Sequence, residues 1–78
     1  MKKIKLGKYR HYKGKEYEVL GVAKQSETLE DLVVYRALYN SAEFGKNALW
    51  ARPASMFFEK VSVDGKLVSR FQYIKNLN

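Results

Sequence analysis

The chain has 78 residues, 46% of them hydrophobic and 14% aromatic, with no cysteine and a formal net charge of +7. That length leaves room for one small domain with one core, and the lack of cysteine excludes disulfides, thiolate metal sites and a catalytic thiol. The longest unbroken apolar runs, Leu32 to Tyr35 and Ala48 to Ala51, fall far short of the roughly 20 residues a membrane-spanning helix needs.

The opening Met1-Lys2-Lys3-Ile4-Lys5-Leu6 imitates the basic start of a signal peptide, but Lys8, Arg10, His11 and Lys13 follow where an apolar stretch of about 7–15 residues would be required. It is therefore expected not to be one, and with the cysteine-free composition this points to the cytoplasm. Residues 1–15 hold seven basic and no acidic side chains, while residues 16–78 hold eight of each. The whole excess is local, so residues 1–6 read as a basic arm, with Lys2, Lys3, Lys5 and Lys8 as its electrostatic contribution to solubility or steering.

Turn signals follow at Lys13-Gly14-Lys15, Gln25 to Thr28, Asn40 to Asn47 and Asp64-Gly65, spaced as strand plus turn. Between them, segments 8–13, 16–24, 32–39, 48–52, 58–63 and 67–74 are rich in Val, Tyr, Phe and Leu, which favour extended geometry. Gly21, inside the second, suggests a bulge or bend. Thr28 and Asp31 have the spacing of a helix cap, yet Val33, Tyr35, Ala37 and Tyr39 alternate on one face, so 26–31 is read as a loop and 32–39 as a strand. Pro53 ends the strand carrying Trp50, and 53–57 suits a single helical turn. Asp64-Gly65 marks a tight hairpin.

These readings predict a mostly β domain over residues 7–74: a small SH3-like barrel of five or six short antiparallel strands, followed by a tail at 75–78. The segments Gly7 to Gly14, Tyr17-x-Val19-Leu20-Gly21-Val22-Ala23, Ser26 to Tyr35, Leu49-Trp50-x-Arg52-Pro53-x-x-Met56-Phe57 and Arg70-Phe71-x-Tyr73-Ile74 resemble the bacterial domain-of-unknown-function family numbered 1653. The resemblance implies a compact stand-alone bacterial domain and carries over no activity, ligand or catalytic residue. One departure is Gln25, where the family pattern has His before Ser-Glu-Thr.

Chemistry-bearing residues are sparse. His11 is the single histidine, and spacing alone gives it no partner for a triad or a metal site. Ser26, Glu27, Thr28 and Glu30 place hydroxyls and carboxylates in one loop, although turn hydrogen bonds explain them equally well. No oxygen-rich cation loop and no glycine-rich phosphate loop is spelled out, so no metal or cofactor is expected. The more suggestive set is Tyr9, His11, Tyr12, Tyr35, Tyr39, Trp50, Arg52 and Phe57. A barrel this small cannot enclose every ring while satisfying its polar tips, and aromatic faces beside Arg suit stacked bases, peptides or cations.

The sequence therefore points to a non-catalytic binding module, with a protein or peptide favoured as partner and nucleic acid second. A small enzyme using His11 with Glu27 or Glu30, and a self-associating structural or regulatory protein, are the competing readings.

Overall fold

The computed structural model describes residues 4–77. Nine strands and one helical turn follow one another: β1 Gly7–His11, β2 Glu16–Lys24, β3 Asp31–Ala37, β4 Asn40–Ser41, β5 Gly45–Lys46, β6 Leu49–Pro53, α1 Ala54–Phe57, β7 Lys60–Val63, β8 Lys66–Ser69 and β9 Phe71–Lys75. Five of them form one antiparallel sheet in the order β6-β3-β2-β1-β9, while β4 with β5 and β7 with β8 form separate hairpins.

Local chemistry accounts for the turns. Val63 pairs with Lys66 across Asp64 and Gly65, both at positive φ (52° and 79°), the geometry of a two-residue primed turn whose twist matches its strands. The β2 to β3 ladder shifts register between Val19 and Gly21, so Leu20 is the extra residue of a bulge and β2 bends there. No helix forms over 26–31: residues 26–30 are a loop, closed by hydrogen bonds from Leu29 N–H to the Gln25 carbonyl (2.7 Å) and from Gln25 N–H to the Glu30 carbonyl (2.9 Å), and the strand expected over 32–39 runs instead over Asp31–Ala37.

Alternation then sorts side chains into two faces. The outer face carries charges in register: Glu18 opposes Lys8 on one side and Arg36 on the other, and Arg10 opposes Glu16. Arg10 and Arg36 bond these carboxylates at 2.8 and 2.6 Å, and Lys8 reaches Glu16 at 2.9 Å. The inner face carries Tyr9, Val19, Val33, Tyr35, Ala37 and Phe71, all buried, and α1 lays Phe57 over them with no exposed surface at all. Phe57 stacks parallel to Phe71 at 4.3 Å and meets Tyr9 and Tyr35 edgewise or tilted, each at 5.5 Å.

This packing requires strong curvature. In a flat sheet three strand spacings would separate β3 from β9 by about 14 Å, yet the ring centroids of Tyr35 and Phe71 are 5.5 Å apart. The curl does not become a closed barrel. Strands β6 and β9 are the two ends of the sheet, and no ladder joins them among the described residues. The coarser expectation, a mostly β antiparallel domain with one short helical turn, matches the structure, while the chain between these edges forms its own hairpin, β7 with β8. The expected strand 67–74 is accordingly split at Arg70, whose N–H bonds the Glu59 carbonyl at 3.1 Å. The Asn40 to Asn47 turn likewise contains the small β4–β5 hairpin.

Two substitutions probe this architecture. At Gly7 the φ is +131° and an added Cβ would sit 2.5 Å from the Lys75 carbonyl oxygen, whereas an added Cβ at Gly21 meets nothing within 4 Å. Gly7→Ala should therefore lower the unfolding free energy by about 2 kcal/mol or more, and Gly21→Ala by less than about 1 kcal/mol. Phe57→Ala should remove about 3–5 kcal/mol, a large share of the total for so small a domain. Urea unfolding followed by circular dichroism checks all three.

Candidate functional site

The curled inner face is not filled from end to end. Where β1 finishes and β2 begins, the sheet leaves a hollow of about 350 Å³, large enough for a small ligand group. Phe71 and Tyr35 form its floor, His11 and Tyr17 one wall, and Trp50 and Arg52 from edge strand β6 the other. The β4–β5 hairpin arches over this opening. The Ser41 hydroxyl accepts from the Glu43 and Phe44 N–H groups at 3.2 Å each, and this brings the Phe44 ring edgewise onto Trp50 at 5.1 Å. Phe44 and Trp50 stay 58% and 37% exposed, a large apolar surface left in water at the mouth of a hollow.

Polar groups inside are fixed by their neighbours. The hydroxyls of Tyr17 and Tyr39 bond each other at 2.8 Å. Burial, and next this bond to Tyr39, hold the Tyr17 phenol protonated far above its ordinary range. The His11 ring sits between Tyr12 (4.6 Å), Phe71 (4.9 Å) and Tyr17 (6.4 Å). Its Nδ1 accepts the Lys13 N–H at 3.2 Å, so in the neutral ring the proton is on Nε2. Burial first, then the positive charges of Arg52, Arg70 and Lys13, push its pKa below the usual 6.5. At neutral pH His11 is an uncharged donor.

Arg52 differs from the other arginines. Arg10, Arg36 and Arg70 bond Glu16, Glu18 and Glu59 at 2.6 to 2.8 Å. Arg52 is a partly buried residue whose guanidinium carbon lies 5.8 Å above the centre of the Phe71 ring, and among the described residues it makes no ion pair with a carboxylate. It adds a cation–π contact but leaves its fork of donors open.

Of the residues singled out in the sequence, His11, Tyr35, Tyr39, Trp50 and Arg52 line this one hollow. Tyr9 and Phe57 do not reach a surface: both are core, and the Tyr9 hydroxyl is satisfied inside by the Lys5 carbonyl at 2.8 Å. Tyr12 lies on the far side of His11, exposed, beside a separate hollow whose one charged residue, Arg10, is already paired. Ser26, Glu27, Thr28 and Glu30 lie in the β2–β3 loop, at the opposite end of nine-residue β2 from His11, and bond within that loop. Lys2 and Lys3 lie outside the described residues; Lys5 covers the Tyr73 ring at 5.0 Å and Lys8 pairs with Glu16.

Sequence reasoning missed Tyr17, Phe44 and Phe71 as part of the hollow, and Lys15, whose Nζ sits 4.7 Å from the Tyr39 ring. Phe44 had a usable signal, a lone aromatic in an otherwise polar turn. Among the described residues no cluster of His, Asp and Glu could hold a metal ion, and no helix is long and apolar enough to cross a membrane.

An antiparallel β domain with an aromatic hollow and one open guanidinium is the class the coordinates define. The model of the family described as "Protein of unknown function (DUF1653)" matches residues 7–73, and the chain belongs to that family. A crystal structure of a family member from Bordetella bronchiseptica is similar over 96% of this chain and 92% of that one, with 35% sequence identity and a TM-score of 0.84. No curated protein matches the chain.

The electrostatics of His11 can be measured directly. An NMR titration of the imidazole should give a midpoint below 6.5, and Arg52→Gln should raise it by removing a nearby positive charge. Because the folded state binds this proton less readily than the unfolded chain, His11 adds to the loss of stability as pH falls below 6.5. His11→Gln should flatten that part of the stability profile.

Proposed function

We propose that this chain is a non-catalytic binding module that takes a segment of a partner protein or peptide into the hollow between Trp50, Arg52 and His11. The observation carrying this reading is Arg52, a partly buried residue whose guanidinium lies over Phe71 without a carboxylate partner among the described residues. An open fork of donors beside flat aromatic faces is a common recognition device in protein interfaces. The exposed Trp50 and Phe44 rings add apolar area at the same mouth.

A peptide fits better than a nucleic acid. Tracking a phosphate backbone needs a run of free cations, whereas Lys8, Arg10 and Arg36 on the outer face are matched with Glu16 and Glu18. The expected basic arm precedes β1, and the hollow lies at the other end of that strand. Catalysis by His11 with Glu27 or Glu30 gains nothing from the geometry, since β2 separates them along its length. This reading takes the curled sheet as an open variant of the small SH3-like barrel, working in the cytoplasm.

Trp50 is the single tryptophan, so its fluorescence reports on this hollow alone. Peptides selected from a display library against the protein should shift that emission. Arg52→Gln should weaken them about tenfold or more without moving the unfolding midpoint. Selected peptides that bind Arg52→Gln as tightly as the original chain would refute the proposal.

A further inference from the structure

We propose that the group recognised inside the hollow is a carboxylate, held between the Arg52 guanidinium and the Nε2–H of His11 over the ring of Phe71. This rests on the binding-module reading above and specifies the chemistry of the same site. Arg52 and His11 flank one ring: the guanidinium carbon lies 5.8 Å from the Phe71 centroid, and the imidazole centroid lies 4.9 Å from it at 79°. The two donor groups come from β6 and β1, strands separated in the sheet by β3 and β2, and both reach the Phe71 ring because the sheet curls. A guanidinium offers two parallel N–H bonds to the two oxygens of a carboxylate, and a neutral imidazole adds a third donor.

The shape of the donor set favours a planar anion with two oxygens. His11 is neutral at pH 7; of the cations around it Arg70 pairs with Glu59 at 2.8 Å, and Lys13 and Lys15, over the Tyr12 and Tyr39 rings, are ammonium groups without the planar fork that matches a carboxylate. Arg52 supplies the one open guanidinium. Glu43, the one acidic residue lining the hollow, opposes a doubly charged phosphate more strongly than a carboxylate. Trp50, Phe44 and Tyr39 beside these donors would cover a flat apolar body attached to the carboxylate. Three sources share this chemistry: a peptide C-terminus, an Asp or Glu side chain, and a free aromatic acid.

The test uses the selected peptides in paired forms and benzoate as the free acid, read by the Trp50 indole and His11 ring resonances in NMR. If the carboxylate is the C-terminus, the free-acid peptide should bind about tenfold or more tightly than its amide; if it is a side chain, the Glu peptide should exceed its Gln counterpart by a similar factor. Benzoate should compete with either and exceed inorganic phosphate. Arg52→Gln should remove the preference and Arg52→Lys should restore part of it. Saturation should raise the His11 midpoint, so binding should tighten as pH falls from about 7.5 to 5.5. A preference for phosphate, or equal binding of both members of each pair, would overturn the carboxylate assignment while leaving the binding-module reading intact. If no selected peptide or acid perturbs Trp50, both fall.

Discussion

The parallel stack of Phe57 on Phe71, at 4.3 Å and 4°, is the contact on which the rest of the structure depends. Phe57 arrives from the helical turn that Pro53 allows β6 to enter, and Phe71 opens the last strand. Their meeting pulls the two edges of a five-stranded sheet toward each other over Tyr9 and Tyr35. A chain of 78 residues has little apolar area to spare, and this aromatic cluster concentrates much of it at one point. The same curvature brings Arg52 from one edge strand onto Phe71 of the other. Core and hollow thus share a wall, and the functional geometry follows from how the core is packed.

Sharing a wall also explains the division of labour among the aromatics. Phe57 and Tyr9 lie where α1 and the chain before β1 cover the sheet, so Phe57 is wholly enclosed and Tyr9 nearly so. Tyr17, Tyr39 and Trp50 lie toward the other end, beside the short β4–β5 hairpin, where they line the hollow and the two tyrosine hydroxyls bond each other. On the outer face of β1, β2 and β3, charges pair across the strands: Arg10 and Lys8 hold the Glu16 carboxyl below its usual range, and Arg36 meets Glu18. Arg52, on the inner face, is the arginine left without a carboxylate partner among the described residues.

Much of the local structure was legible from residues. Asp64-Gly65 announces its hairpin, Gly21 its bulge and Pro53 its helical turn, because each rests on backbone rules that act over two to four residues. The strand over Asp31–Ala37 is legible from alternation despite the cap-like Thr28 and Asp31. Closure was not legible, since whether β6 meets β9 depends on a pairing between distant segments, and alternation does not specify neighbours. For the same reason Phe57 reads as a surface candidate: a period of two assigns a face but does not reveal which end of it another element will cover. Arg52 and Trp50 were visible as a motif, while their partner Phe71 became evident only from the fold.

Proton–proton NOEs from the Phe71 ring in solution address the central claim, that one curled sheet places two donor groups from separate strands on a single aromatic face. The account calls for cross-peaks from that ring to the Phe57 ring, the His11 imidazole and the Arg52 side-chain methylenes in the same protein without ligand. Cross-peaks to Phe57 alone, with the Arg52 methylenes showing contacts only within β6, would mean that the edge strand swings clear and that no such hollow exists.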